Sequence, residues 1–226
     1  MIAEADIAAP AALIGDPTRA RFLIALAGGT SLPATELAHR AGVSASTASI
    51  QLAKLVEGGL LTVERHGRHR YYALADPAIA EAIESLAVIA PQRGSHPPKQ
   101  DPIGSELRAA RTCYDHLAGT LGVAVFEALL RDNVLDAQLE PSERGRRSLA
   151  RLGIDVDEVA RSRRAFARRC LDWTERRHHL AGALGAALTT RFFELGWVER
   201  TGSSRAVRVT RPGRRALARQ LGIELR

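Results

Sequence analysis

Two groups of residues carry types and spacings that could do chemistry. The first lies between Ser44 and Arg70. Ser44, Ser46, Thr47 and Ser49 offer short hydroxyls, Gln51 an amide, Ile50 an apolar surface and Lys54 a cation. Further on, Arg65, His66, Arg68, His69 and Arg70 put five cationic or titratable side chains into six positions. Hydroxyls and cations suit phosphate oxygens, an amide can pair with adenine, and an isoleucine can touch a thymine methyl. The second group is a pair of tetrads, Cys113-Tyr114-Asp115-His116 and Cys170-Leu171-Asp172-Trp173, the latter followed by His178-His179. Cys, His and carboxylate are ligands of zinc and its relatives. Structural packing is nonetheless the first reading, because cysteine is commonly a small buried apolar residue. A pocket for an organic effector comes second, drawing on Cys113, Tyr114, His116, Cys170, Asp172, Trp173 and His179. Metal or thiol-redox sensing through Cys113, His116 and Cys170 is the alternative; no metal ligands and no cofactor are assigned.

The elements that must position the first group can be read from periodicity and punctuation. Leu13 to Ala27 reads as a helix ended by Gly28-Gly29. Pro33 precedes a short helix over Ala34–Arg40, Ala41-Gly42-Val43 is a turn, and Ser44 caps a helix over Ala45–Glu57. On that last helix Ala48, Leu52, Leu55 and Val56 share an inward face. Ser46, Thr47, Ile50 and Lys54 then face outward, with Ser49 and Gln51 on the flanks. Leu60–Arg65 and Arg70–Leu74 read as two strands joined by His66-Gly67-Arg68-His69, and Asp76 caps a final helix over Pro77–Ile89. Pro91–Ser105 is a linker, since its prolines defeat regular structure.

The second half holds an internal repeat. His116-Leu-Ala-Gly-Thr-Leu-Gly122 recurs as His179-Leu-Ala-Gly-Ala-Leu-Gly185, an offset of 63, and Gly145–Leu149 recurs at Gly213–Leu217, an offset of 68. The five extra residues fall near Thr201–Ser204, between Trp197–Arg200 and Ala206–Thr210, which read as a hairpin. The expectation is two helix–hairpin–helix units, about 113–154 and 170–226, packed about a pseudo-two-fold axis. The Cys113-x-x-His116 spacing is read as one turn of helix, and the repeated glycines as sites of close helix contact. Arg161–Arg169, with five arginines in nine residues, reads as a solvated or acid-paired helix face, with flanking phosphates as its second use.

Bulk charge does not decide the matter. The chain carries +7, yet residues 1–90 hold seven Lys/Arg against nine Asp/Glu, and residues 103–226 hold 23 against 15. The positive excess lies outside the segment with the outward hydroxyls, so local placement carries the argument. No apolar run approaches the roughly 18–20 residues of a membrane span, the start does not read as a secretion signal, and two distant cysteines suggest a reducing cytoplasm. A phosphate-binding Gly-x4-Gly-Lys-Ser/Thr loop, a Gly-x-Ser-x-Gly elbow and a His-Glu-x-x-His helix are all missing from the sequence, which argues against an enzyme.

The stretch LPATELAHRAGVSASTASIQLAKLVEGGLLTVERHGRHRYYAL resembles the ArsR/SmtB family of winged helix-turn-helix regulators. The resemblance is carried by Glu36-Leu37-Ala38, Ser46-Thr47-x-Ser49, Leu52-x-x-Leu55-Val56-Glu57-x-Gly59-Leu60 and Gly67-Arg68-x-x-Tyr71-Tyr72, within residues 10–90. It implies a homodimer joined through the first and last helices of the domain, which holds a double-stranded operator and releases it when an effector binds. Gln51 stands where the family often has histidine. The family's familiar metal positions are unfilled: Glu36–Arg40 offers Glu36 and His39 rather than a cysteine pair, and Asp76–Ile89 holds no histidine. The expectation is therefore a mainly α chain with small β-hairpin wings. A winged helix-turn-helix domain spans 1–90, a linker 91–105 and a duplicated domain 106–226, the whole acting as a repressor released by an effector bound elsewhere.

Overall fold

In a computed structural model the helix expected over Leu13–Ala27 is two helices, α1 (Ala8–Ile14) and α2 (Pro17–Leu26). Asp16 breaks the run by capping α2, its Oδ1 accepting from the N–H of Thr18 at 2.9 Å and of Arg19 at 3.0 Å, with Pro17 at the first helical position. The structure describes residues 5–67, 69–91, 104–202 and 204–225. Arg68 and most of the linker, residues 92–103, lie outside it. The chain divides into two units, Met1–Ser105 and Glu106–Arg226.

In the N-terminal unit, β1 (Leu32–Pro33) leads into α3 (Ala34–Ala41), which ends at Gly42 in the left-handed region, φ 68°. After α4 (Ala45–Glu57), strands β2 (Leu61–His66) and β3 (His69–Leu74) form an antiparallel wing, with β1 on the far side of β3. Helix α5 (Pro77–Ile89) closes the unit, capped by Asp76 as expected. The wing strands run one residue further toward the tip than their sequence expectation, because His66 and His69 remain cross-strand partners. Phe22, Leu23 and Leu26 of α2, Leu37 of α3, and Ala48, Leu52 and Leu55 of α4 form a core with no solvent exposure. Helices α2 and α3 thus pack behind α4 and turn its opposite face outward.

The C-terminal unit opens with α6 (Ser105–Ala109), hairpin β4 (Arg111–Cys113) and β5 (His116–Ala118), and α7 (Gly119–Arg131). Helices α8 (Glu143–Arg151) and α9 (Val156–Ala160) follow. A second hairpin, β6 (Arg168–Leu171) and β7 (His178–Ala181), precedes α10 (Ala183–Glu194). The unit ends with hairpin β8 (Val198–Arg200) and β9 (Val207–Val209), then α11 (Arg211–Leu221). A single core joins these elements, with Leu121, Leu129, Leu149, Leu184, Phe192 and Leu217 among its most buried members.

Three expectations for this unit need correction. Cys113 and His116 do not share a helical turn: Tyr114, at φ 59°, and Asp115 turn the chain, and Cys113 faces His116 across a hairpin. Arg161–Arg169 is not a helix face either. Helix α9 stops at Ala160 and Arg168-Arg169 enter β6, while Arg164 pairs with Asp115 and Arg169 donates to the Ala137 carbonyl at 2.7 Å. Nor do the repeated glycines serve helix–helix contact. Gly119 (φ 73°) and Gly182 (φ 91°) begin the turns into α7 and α10, where a Cβ would stand 2.5 Å from the Arg108 carbonyl oxygen and 2.7 Å from that of Ala165. The composition agrees with the expectation at the coarse level, a winged helix-turn-helix unit followed by a unit of helices and hairpins. Among the described residues no helix is long and apolar enough to cross a membrane.

Candidate functional site

Helix α4 is started by Ser44. Its Oγ accepts from the Thr47 N–H at 3.2 Å and lies 2.9 Å from both Ser46 Oγ and Thr47 Oγ1. The cap therefore gathers three hydroxyls at the helix N-terminus, where backbone N–H groups and the helix dipole favour an anion. Ser46, Thr47, Ser49, Ile50 and Lys54 are all exposed, and Ile50 is 59% exposed. An aliphatic side chain that open to water is unusual on a face otherwise polar.

Gln51 behaves differently from its neighbours. It is half-buried, and its Oε1 accepts from Arg19 Nη1 at 2.8 Å. The same guanidinium donates to the carbonyls of Leu13 at 2.6 Å and Ala12 at 3.0 Å. Gln51 is thus strapped to α1 and α2 through Arg19, a partner for which the spacing of residues held no signal.

The wing carries its cations outward. Arg65 and Arg70 are directly opposed across the ladder, both exposed, and neither has an acidic partner among the described residues. Like charges in that position repel unless an anion sits between or beside them. His66 contacts Glu64 at 3.4 Å and meets the Tyr71 ring edge-on, with centroids 5.6 Å apart; His69 is exposed, and Arg68 lies outside the described residues. The exposed α4 face and the wing belong to one unit and offer hydroxyls, one aliphatic group and the Arg65/Arg70 cations.

The tetrad residues of the second half converge. Cys113 is the cross-strand partner of His116 and Cys170 that of His179, so each hairpin presents one Cys/His pair. One ligand atom from each of these four residues lies within 4.8 Å of every other. The two Nε2 atoms stand 3.2 Å apart, the rings tilted by 32°, with His116 and His179 only 2% and 1% exposed. Both cysteines are half-buried and neither is in a disulfide. Each imidazole turns its Nδ1 toward a carboxylate: His116 toward Asp115 Oδ1 at 3.2 Å, His179 toward Asp172 Oδ2 at 3.4 Å. Tyr114 points away and is exposed, so it takes no part.

Asp172 is the hub of this region and is fully buried. It accepts from Arg111 Nη2 on both oxygens at 3.1 Å, from the N–H groups of Gly119 at 2.7 Å, Thr174 at 2.9 Å and Glu175 at 3.0 Å, and from Thr174 Oγ1 at 2.7 Å. Burial pushes the carboxyl up. His179, the Arg111 charge and the Thr174 and Glu175 donors outweigh that and hold it well below the usual carboxylate range. Burial likewise pushes the His179 imidazole down, but Asp172 and Cys113 raise it on balance. Arg111 lies over the Trp173 ring at 5.3 Å, which accounts for the half-buried Trp173 beside the cluster. Arg111 was invisible as a site residue in sequence, being one arginine among many.

Residues 14–64 match a family model described as a helix-turn-helix domain. An uncharacterised HTH-type transcriptional regulator, YdfF of Bacillus subtilis, is 43% identical over 223 residues, covering 97% of this chain and 99% of its own length. The HTH-type transcriptional regulator CmtR of Mycobacterium tuberculosis is 36% identical over 86 residues, 38% of this chain and 72% of that protein. Among solved structures, a Mycobacterium bovis protein described as a homodimeric winged helix-turn-helix DNA-binding domain, "a possible ArsR-family transcriptional regulator", is 26% identical. It covers 39% of this chain and 89% of that one at a TM-score of 0.35.

Proposed function

The chain belongs to the ArsR family of winged helix-turn-helix, DNA-binding transcriptional regulators, and from that premise we propose that it is a homodimeric repressor of an inverted-repeat operator. In this reading α4 enters the major groove. Ser44, Ser46 and Thr47 hold phosphate at the helix start, Ser49 and Ile50 meet base edges, and Lys54 meets the backbone. Arg65, His66, Arg68, His69 and Arg70 follow the backbone or enter the minor groove. Gln51 acts mainly by fixing the pitch of α4 through Arg19. The observation that carries the reading is the opposed Arg65/Arg70 pair, without acidic partners among the described residues, beside an outward helix face of hydroxyls and one bare isoleucine.

The homodimer reading is supported by α1 and α5. Helix α1 buries no residue, and Ala78, Ala82, Leu86 and Ile89 form an exposed apolar stripe on α5, with Ile89 78% exposed. Two copies pairing through these helices would cover apolar surface that one chain leaves in water. The second half reads as a duplication. Equivalent glycines, at 122 and 185, each approach the backbone of their own strand, and each lies beside the histidine of the other hairpin: a Cβ on Gly122 would be 3.5 Å from the His179 Cβ, and one on Gly185 3.3 Å from the His116 Cβ. Its proposed role is to receive the effector that releases the operator.

Footprinting over the promoter of the protein's own gene is the direct test. Protection of an inverted repeat is expected, with half-sites about one helical turn apart. A uniform or absent footprint would sink the operator reading.

A further inference from the structure

In the C-terminal unit the residues whose types left metal binding an alternative in sequence converge as four candidate ligands. We propose that Cys113, His116, Cys170 and His179 bind one zinc-class divalent cation in a tetrahedral site that pins hairpin β4–β5 to hairpin β6–β7. The proposal stands on this unit alone and survives failure of the operator reading.

The donor set comes first. Two thiolates and two imidazoles are the ligands of zinc, cobalt or cadmium, and four protein ligands close the coordination sphere, as in sites that hold structure rather than perform catalysis. Distance comes next. Metal–nitrogen bonds of about 2.0–2.1 Å at the tetrahedral angle put two nitrogens roughly 3.3 Å apart. The Nε2 atoms of His116 and His179 stand at 3.2 Å. With sulfur at about 2.3 Å the longer edges are roughly 3.8 Å, so the widest separation here, no more than 4.8 Å, closes with about one ångström of side-chain movement.

The outer contacts are an independent observation. Asp115 Oδ1 is hydrogen-bonded to Nδ1 of His116 at 3.2 Å, and Asp172 Oδ2 stands 3.4 Å from Nδ1 of His179, close enough for an ion pair but without hydrogen-bond geometry. A carboxylate on Nδ1 keeps the proton there and leaves the Nε2 lone pair free, which is the usual outer support of a metal-bound histidine. The two Nε2 atoms then face each other in a nearly water-free space, at a separation that a shared proton or a bound cation can bridge. The architecture agrees. Each hairpin alone supplies one Cys/His pair, and β5 and β7 touch without sharing a sheet. Only the packing of the two hairpins makes four ligands. Gly122 and Gly185 lie at this junction, where a Cβ would stand 3.5 Å from the His179 Cβ and 3.3 Å from the His116 Cβ, and each is required chiefly by the carbonyl of its own strand, Leu117 or Leu180. The half-buried cysteines leave a path for the ion to enter.

The experiment uses the full chain, reduced and stripped with a chelator, then titrated with cobalt(II) and zinc(II). About one cobalt per chain is expected, with the intense visible bands of tetrahedral coordination, a near-ultraviolet thiolate charge-transfer band, and displacement of both by zinc. Cys113→Ser and Cys170→Ser should each weaken that charge-transfer band and lower affinity. Asp115→Asn, at a partly exposed position, should keep the tetrahedral spectrum while weakening metal binding on the order of tenfold. Failure of the folded, reduced chain to take up cobalt or zinc overturns the proposal, as does a purely octahedral cobalt spectrum. A purified chain lighter by two hydrogens, whose reduced form binds no metal, also overturns it and assigns the pair Cys113/Cys170 to disulfide chemistry.

Discussion

The two units handle polar chemistry in opposite ways. In the N-terminal unit the candidate DNA-reading groups are held out into water, and Arg65 and Arg70 face each other with no acid beside them among the described residues. In the C-terminal unit Arg111 is 1% exposed and Asp172 fully buried, and the two charges pair within hydrogen-bonding distance. A surface that waits for a polyanion can leave cations unpaired, because water solvates them until the ligand arrives. A buried charge cannot wait, since an unpaired one in a low-dielectric interior costs several kcal/mol, about 3–5 when a partner is removed. Substitutions in the first region should therefore move binding and spare stability; those in the second should do the reverse.

The sharpest way to break this contrast is Arg111→Met. It leaves the Asp172 carboxylate buried with its guanidinium partner gone, and a loss of about 3–5 kcal/mol in urea unfolding is expected. A loss below about 1 kcal/mol would mean that the backbone donors from Gly119, Thr174 and Glu175 already satisfy Asp172. Next in size is the double substitution Arg65→Ala with Arg70→Ala. Operator affinity should fall on the order of tenfold or more at physiological salt. The dependence of log affinity on log salt should also flatten, by about one for each phosphate that the wing no longer neutralises. Thermal unfolding should hardly change, because both side chains are exposed. An unchanged salt slope measured by fluorescence anisotropy would remove the wing from the interface.

How much of this was legible in sequence also divides along the two units. Local signals fix the head: Ser44 before Ala45–Glu57, Gly42 in its left-handed turn, and Asp76-Pro77 opening α5 all act within four residues of themselves. The break at Asp16-Pro17 is also a local signal, but the apolar periodicity through Leu13 masks it. In the second unit, pairings between residues far apart in the chain decide. Cys113-x-x-His116 fits a helical turn as well as a two-residue hairpin turn, and nothing nearby favours Tyr114 at positive φ. Cys170 and His179 are nine apart because the β6–β7 turn is longer than the β4–β5 turn, so the pairs do not share a spacing. The repeat aligns His116 with His179 as equivalent positions, but nothing in the sequence brings their Nε2 atoms to 3.2 Å.

The smallest expected effects separate two adjacent residues on α4. Gln51→Ala removes the acceptor of Arg19 Nη1 and should cost about 1 kcal/mol of stability. Its effect on DNA should be a uniform loss across operator variants, since the change acts through the seating of the helix. Ile50→Ala should do the opposite. A side chain 59% exposed contributes little to folding, so stability should shift by less than about 0.5 kcal/mol. If Ile50 meets a thymine methyl, however, the substitution should erase the preference for thymine over uracil at one position of each half-site, because uracil lacks only that methyl. Binding assays with single uracil replacements would read this directly. A preference that survives in Ile50→Ala but vanishes in Gln51→Ala would exchange the two roles, making Gln51 the reading residue despite its bond to Arg19.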